Sequence, residues 1–331
     1  MRDSNPRPSL CKSAALPTEL IAQATFKHTV LLAYHARLTY ISAIINMCMK
    51  KTLKKTSKPK KALSIEILYE DAHIVAVNKP AGLVVHSDGK TVEPFLTDWI
   101  LKKYPGAAKV GEPIVTVPAT TKDGITKPSQ TIMRPGIVHR LDRETSGVML
   151  IAKTKAAHAS LKTQFQEHTI KKKYNAFLYG ELKEEWGIIE RPIGRSTGDF
   201  RKWSATRGAR GELRPAVTWW NLIKAGYDMD VTGKYSFVEA EPKTGRTHQI
   251  RVHFKAINHP VVCDKLYAAE KIPHEGPLAQ PLGFKRTALH ASSITFTTIG
   301  TKTKPGKPIT VKAPFPADFK RAMKEMGIVM K

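Results

Sequence analysis

The fourteen residues RPGIVHRLDRETSG, Arg134 to Gly147, hold the densest cluster of reactive side chains in the chain. Asp142 lies there between Arg140 and Arg143, entered from Gly136-Ile137-Val138 and left through Thr145-Ser146-Gly147. Guanidinium neighbours favour the charged form of a carboxylate, so Asp142 is expected to be ionised at neutral pH, which suits a nucleophile or base and not a general acid. In an arbitrary polar loop such an aspartate more often caps backbone amides in a turn. Glu144 makes a second close carboxylate, as in a glycoside hydrolase. That chemistry needs one carboxyl group with a raised pKa, and neighbouring arginines act the other way. His248 and His253 raise the question of a metal. Five residues apart, they fall on opposite faces of a strand and far apart around a helix, and no cysteines are near, so no metal site is expected. Nothing in sequence marks Cys263 as activated, and it reads as a small buried residue.

The elements that must position these groups read as mixed α and β. SIEILYEDAHIVAVNKPAGLVVH, from Ser64, reads as strand, turn, strand, with an apolar run at Ile74–Val77 broken by Lys79-Pro80-Ala81-Gly82. Pro105 to Pro135 is rich in Pro, Gly, Thr and Lys with little periodicity and reads as a long surface loop. A strand over Val148–Ala152 follows the reactive cluster. A helix then starts near Thr154, with Ala157, Leu161 and Phe165 at four-residue spacing. Further strands are expected at Tyr174–Tyr179, Ala216–Leu222, Phe237–Glu241 and Ala291–Thr297. On pattern alone Tyr174 is a strand residue whose ring fills the core. A helix over Thr247–Ile257, with Thr247 as N-cap, puts Ile250, Phe254 and Ile257 on one face. Arg251 lies off that stripe, which leaves a surface phosphate contact open as the bland alternative. Strands outnumber helices without alternating with them, so the fold class is α+β with a mixed or antiparallel sheet. No glycine-rich phosphate loop precedes a helix, which argues against a nucleotide-dependent enzyme.

Composition narrows the partners. The 331 residues are 41 % hydrophobic and carry 54 Lys+Arg against 28 Asp+Glu, a net charge of +26, which favours a polyanionic partner. The uncharged apolar stretch from Leu38 to Met49 is 12 residues long, short of the ~18 needed to span a bilayer, so no membrane helix is expected. Three cysteines, Cys11, Cys48 and Cys263, build neither a disulfide framework nor a four-thiolate zinc site, and the chain reads as cytoplasmic. Residues 1–48 have no clear period. Their opening, RDSNPRPSLCKSAALPTELIA, resembles peptides that arise when a transfer-RNA gene is translated, so this segment is expected to be a non-native or disordered extension with the natural start at Met47 or Met49. Leaving it out lowers the net charge only to +23, since it holds five basic and two acidic residues. A lysine-rich tail, residues 49–63, contains seven lysines within Lys50–Lys61 and reads as a solvated, non-specific phosphate-binding arm.

HRLDRETSG, residues 139–147, resembles the catalytic-loop motif of RNA pseudouridine synthases. RPGIVHRLD with VMLIAKT after it is closer to the large-subunit rRNA/tRNA branch of that family than to the small-subunit branch. LYEDAHIVAVNKPAGLVVH (68–86) resembles the family's first strand pair, KKKYNAFLYG (171–180) its tyrosine strand and IERPIGR (189–195) the segment after it. TGRTHQIRVHFKAINHPVVCD (244–264) resembles its arginine motif and ALHASSITF (288–296) its closing strand. The resemblance runs from about Ser64 to Phe319, over three quarters of the chain.

It implies a pseudouridine synthase catalytic domain over residues 64–331, α+β with a mixed, largely antiparallel sheet and flanking helices. Asp142 takes the role of catalytic nucleophile, Tyr174 that of the aromatic against the uracil ring, and Arg251 that of the ion-pair partner of the aspartate. Arg140 is expected to help hold RNA opened around an extruded base, and Lys171, Lys172, Lys173 and Arg246 to contact RNA. The implied activity is an isomerase acting on uridines of ribosomal or transfer RNA. Such a reaction consumes no external group, so neither cofactor nor metal is expected; nor is a membrane partner, and the chain is expected to act as a monomer. The base must be flipped out of its stack, at a few kcal/mol, and basic contacts to flanking phosphates offset that cost. The competing reading, a catalytically inactive RNA-binding protein of the same fold, is disfavoured because Asp142, Tyr174 and Arg251 are all present. Several relatives carry a ribosomal-protein-like RNA-binding module ahead of the catalytic domain. Between Met49 and Ser64 there is no room for one, which leaves the Pro105–Pro135 segment as the expected RNA-gripping insertion.

Overall fold

The computed structural model describes residues 64–87, 93–115, 119–120, 126–127, 129, 131–206, 209–227, 233–271, 281–300 and 305–329. The chain divides into two compact units, Met1–Leu63 and Ser64–Lys331, and every described residue belongs to the second. The expected N-terminal extension and lysine tail lie outside the described residues.

A nine-stranded sheet carries the fold. Its strands are β1 (Glu66–Glu70), β2 (Ile74–Lys79), β3 (Ser146–Ala152), β4 (Lys171–Tyr179), β5 (Trp186–Glu190), β6 (Val217–Tyr227), β7 (Lys234–Pro242), β8 (Leu289–Thr297) and β9 (Pro308–Lys312). The order across the sheet is β1-β2-β3-β8-β4-β7-β6-β5, with β9 also pairing with β8. All pairings are antiparallel except β3 with β8. Four α-helices are present among the described residues: α1 (Leu96–Lys103), α2 (Lys155–Gln166), α3 (Gln249–Ala256) and α4 (Ala317–Glu325). None is long and apolar enough to cross a membrane.

Burial follows the residue pattern. All seven residues of β3, SGVMLIA, are buried, as a strand covered on both faces requires. In β6, Thr218 and Trp220 are buried whereas Trp219 and Asn221 are exposed, the period-two alternation of a strand with one face in water. The main core joins Phe177, Phe237, Phe254, Phe284 and Phe319 beneath the β4–β7 half of the sheet. Thr154 caps α2 as expected, its Oγ1 accepting from Ala157 N at 3.2 Å.

Two expectations need correction. Pro105 to Pro135 is not wholly irregular among its described residues. Pro105–Lys109 is a short 3-10 helix, and Ile114–Val115 pairs antiparallel with Thr131–Ile132, as does Ala119–Thr120 with Thr126–Lys127. Two-residue ladders are too short to leave a hydrophobic period in sequence. Thr247 does not cap α3 either. That position belongs to His248, whose backbone is left-handed at φ 56°, with no side-chain cap. This turn swings the histidine ring out of the helix.

Candidate active site

The loop between Ile137 and β3 is tied down through His139, Arg143 and Glu144. His139 Nε2 accepts from Leu150 N at 2.8 Å and its ring stacks on Phe165. Burial, together with the charge on Lys172, pushes its pKa down to about 3, so the ring stays neutral and keeps that acceptor. The Arg143 carbonyl accepts from Gly82 N at 2.8 Å and from Lys79 Nζ at 3.2 Å. Lys79 is fully buried, and its ammonium also reaches the carbonyls of Pro80 and Leu83. Arg286 Nη1 donates to the Glu144 carbonyl, Arg286 Nη2 donates to Ser146 Oγ, and the guanidinium is itself held by Asp318. The loop leaves into β3 at Gly147, paired in parallel with Ala291. Gly147 has φ 116°, and a Cβ there would lie 2.1 Å from the Ala291 carbonyl oxygen, so only glycine brings the loop this close to β8.

Asp142 projects from this frame with its side chain 23 % exposed. Its Oδ2 accepts from Arg251 Nη1 at 2.9 Å. Arg251 is buried at 7 % exposure, which excludes the surface phosphate contact. Its burial depends on a residue that sequence reasoning did not single out. Asp264, fully buried, accepts from Arg251 Nε at 2.6 Å and Nη2 at 2.8 Å, leaving Nη1 to face Asp142. The Asp264 Oδ1 also accepts from the amides of Leu266 and Tyr267. One carboxylate thus fixes the guanidinium plane through two parallel bonds, and the guanidinium fixes the other carboxylate. Burial disfavours the Arg251 cation, but the bonds and charges of Asp264 and Asp142 outweigh it and keep it charged. A signal for Asp264 was present in sequence: a carboxylate closing the apolar run Pro260-Val261-Val262-Cys263 must find a cation.

His248 is the second residue missed. Its Nε2 stands 3.8 Å from Asp142 Oδ1, and its Nδ1 lies 2.8 Å from Tyr267 Oη. Tyr267 Oη also accepts from Trp203 N. In the tautomer whose Nδ1 accepts from Tyr267 Oη, a neutral His248 carries its hydrogen on Nε2, facing Asp142. Burial lowers the His248 pKa although Asp142 pulls it upward. Burial likewise disfavours the Asp142 anion. The opposing charges of His248 and Arg251, the Arg251 hydrogen bond and Arg140 exceed that penalty, and the carboxyl titrates below its ordinary value. His253, by contrast, is buried between Thr218 Oγ1 and the Arg191 carbonyl. Among the described residues no three His, Cys, Asp or Glu side chains cluster as a metal site would require.

Asp142, Arg251, His248 and Tyr174 line one cavity of about 630 Å³, with Ile250 and Leu289 as its apolar surface and Arg140, Lys172 and Arg246 among its basic residues. Tyr174 is held on β4 opposite Ala240 of β7. Burial and the charge of Asp142 raise its pKa, so the phenol is protonated at neutral pH and accepts a proton only after giving up its own. Strand alternation separates the three lysines. Lys172 shares the Tyr174 face and donates to the Thr244 carbonyl, whereas exposed Lys171 and Lys173 lie on the opposite face, where Lys173 pairs with Glu239. Burial lowers the Lys172 pKa to about 8. Arg246 is tethered by Nε to the Pro215 carbonyl, and Arg140 is exposed at the rim. A smaller cavity of about 400 Å³ opens on the other side of the loop and shares Asp142, His248 and Arg251 with the first.

The chain is similar over most of its length to known proteins. The sequence model of the family described as RNA pseudouridylate synthase matches residues 73–256. An uncharacterized RNA pseudouridine synthase of Synechocystis is 34 % identical over 261 residues, 79 % of this chain and 68 % of that protein. The ribosomal large subunit pseudouridine synthase D of Zymomonas mobilis is 34 % identical over 266 residues, 80 % of this chain and 74 % of that protein. Among solved structures, human RNA pseudouridylate synthase domain containing 1 superposes with a TM-score of 0.55 at 25 % identity, covering 78 % of this chain and 86 % of the other.

Proposed function

This chain belongs to the RNA pseudouridylate synthase family and is an isomerase of that family, and from that premise we propose that Asp142, Arg251 and Tyr174 carry the reaction on a uridine of structured cytoplasmic RNA, ribosomal RNA before transfer RNA. The reaction breaks the uracil N1–C1′ bond, turns the base and joins C5 to C1′; the proton lost from C5 balances the one gained at N1. Asp142, kept anionic, attacks the nucleoside at the sugar or the ring, and this bond breaks again as the C5–C1′ product forms, returning the carboxylate. Arg251 holds it in one orientation, and Tyr174 packs against the base while it turns, its phenol oxygen then helping to remove the C5 proton. The preference for large-subunit ribosomal RNA follows the naming of relatives such as the Zymomonas enzyme. Arg140, Lys172 and Arg246 meet the phosphates or ribose of a flipped nucleotide in this proposal, which their lining of the cavity supports. For Lys171 and Lys173 the proposal is narrower: they meet RNA only where it wraps onto the far face of β4.

The observation that carries this reading is the Asp142–Arg251–Asp264 chain, which points one ionised carboxylate into a cavity large enough for a nucleotide. Release of tritium from C5-labelled uridine in transcripts of large-subunit ribosomal RNA tests it, with transfer RNA as the second substrate. Turnover on ribosomal RNA and little on transfer RNA is expected; the reverse preference contradicts the substrate assignment, and no release from either contradicts the whole proposal.

A further inference from the structure

The outer edge of β5 joins open backbone groups to exposed apolar side chains. Among the described residues β5 ends the sheet, pairing only with β6, in the register Trp186↔Asn221, Ile188↔Trp219 and Glu190↔Val217. Leu222 N donates to the Glu185 carbonyl at 2.7 Å. By antiparallel alternation Gly187 and Ile189 bond inward, and the N–H and C=O groups of Trp186, Ile188 and Glu190 point away from the sheet. The side chains beside them are apolar and in water: Trp186 is 67 % exposed, Ile188 53 % and Trp219 48 %. A cavity of about 420 Å³ opens along the same edge, lined by Trp186, Ile188, Trp220, Ile257 and His259. A hydrophobic edge strand left bare is a site for strand addition unless something covers it.

Against the monomer expected from sequence, we propose that a second copy of this chain covers it, β5 pairing antiparallel with β5 of its partner about a two-fold axis at Ile188. The sequence is self-complementary in that register. Ile188 faces its own copy, Trp186 faces Glu190, and Glu185 faces Arg191, which gives two symmetric ion pairs flanking the strand. Within its own chain, among the described residues, neither Glu185 nor Arg191 is in an ion pair. Moving the axis to Gly187 sets Lys183 against Arg191 and Glu184 against Glu190. Moving it to Ile189 sets Trp186 against Pro192, which has no N–H to donate. At Ile188 the three outward-facing residues of each strand exchange roughly six backbone hydrogen bonds. The exposed Trp186, Ile188 and Trp219 side chains of the two copies then merge into one covered band.

Charge separates this occupant from RNA. In a chain of net charge +26, residues 181–191 hold four acidic side chains (Glu181, Glu184, Glu185, Glu190) against two basic ones (Lys183, Arg191). The strand is thus locally acidic in a basic chain, which lessens the repulsion between copies, and the cation beside the apolar band, Lys243 with Nζ 3.8 Å over the Trp219 ring, is paired with Glu241. Trp219 points to the face opposite Trp220 and Tyr174, so pairing leaves the cavity at Asp142 open.

Sedimentation velocity on the full chain, from low-micromolar concentration upward, tests the proposal. Wild type is expected at twice the chain mass and Ile188→Lys at the chain mass, with tritium release on a short RNA unchanged because the edge is remote from the cavity. Glu185→Arg is expected to weaken the dimer about tenfold or more, the equivalent of ~1.4 kcal/mol, and Glu185→Arg/Arg191→Glu to restore it. Circular dichroism guards against a folding defect in the Arg191 variant, and Glu185→Arg, at an exposed position, stands without it. A monomeric wild type at every concentration overturns the inference. So does a dimer that Ile188→Lys leaves intact, or one indifferent to Glu185→Arg.

Discussion

Replacing Asp264 by asparagine removes one charge and almost no volume from a site 13 residues along the chain from Arg251. The Asp264 carboxylate accepts from Arg251 Nε and Nη2 and from two backbone amides, with no exposure to water. An amide supplies one oxygen, and its NH₂ meets an N–H of the guanidinium. Breaking one side of a buried ion pair costs ~3–5 kcal/mol, and the low end applies here because Asp142 still faces Arg251. For a domain of this size ~3 kcal/mol lowers Tm by about 6–12 °C. Released from its second carboxylate, the Arg251 plane turns toward Asp142. A misplacement of about 1 Å in a catalytic group costs ~100-fold in rate. Asp264→Asn is therefore expected to lose ~100-fold in kcat with RNA affinity nearly unchanged, read by single-turnover tritium release and filter binding. Wild-type kcat and Tm in this variant would refute the reasoning that Asp264 sets the orientation of Arg251.

Tyr174→Phe keeps the ring and loses a phenol that is protonated at rest. It is expected to bind RNA as wild type and to lose ~100-fold in kcat; an unchanged kcat would leave Tyr174 with packing alone. Arg140→Ala is expected to reduce the slope of log affinity against log salt by roughly 1, and an unaltered slope would remove Arg140 from the phosphate contacts. Burial depresses the pKa of Lys79 to about 7 and of Lys172 to about 8, both from an ordinary 10.5. Between those values the unfolded chain binds more protons than the folded one, so stability rises with pH through that window. Above pH 10 the buried tyrosines, with raised pKa values, act in the opposite direction. The denaturant midpoint is expected to climb from about pH 6.5 to about pH 9 and to climb less in Lys79→Met; a falling midpoint would contradict this assignment of charge.

Much of the site was legible because its residues sit inside contiguous runs. HRLD, KKKY and HQIR are local strings, and the strands that carry them have unbroken apolar or alternating patterns, as in VMLIA and YNAFLY. Asp264 as the partner of Arg251, and His248 as the neighbour of Asp142, were not legible. Their roles arise where the segments flanking α3 meet the loop that carries Asp142, and sequence spacing does not encode that approach. Arg251 lies off the apolar stripe of α3, which reads as surface until the buried carboxylate that draws it inward is known. The paired segments between Ile114 and Ile132 escaped detection because two-residue ladders carry no period. The three lysines before Tyr174 form one block in sequence, and only the pleat of β4 divides Lys172 from Lys171 and Lys173.

The central claim is that the carboxylate at position 142 does the chemistry and does not merely shape the loop. Asp142→Asn preserves the side-chain volume and removes the anion. Tritium release from C5-labelled RNA, measured beside RNA affinity on the same preparation, decides the matter. The account requires release to disappear while affinity stays within about 3-fold of wild type, since the phosphate contacts lie elsewhere. Release from Asp142→Asn at a rate comparable to wild type would contradict it.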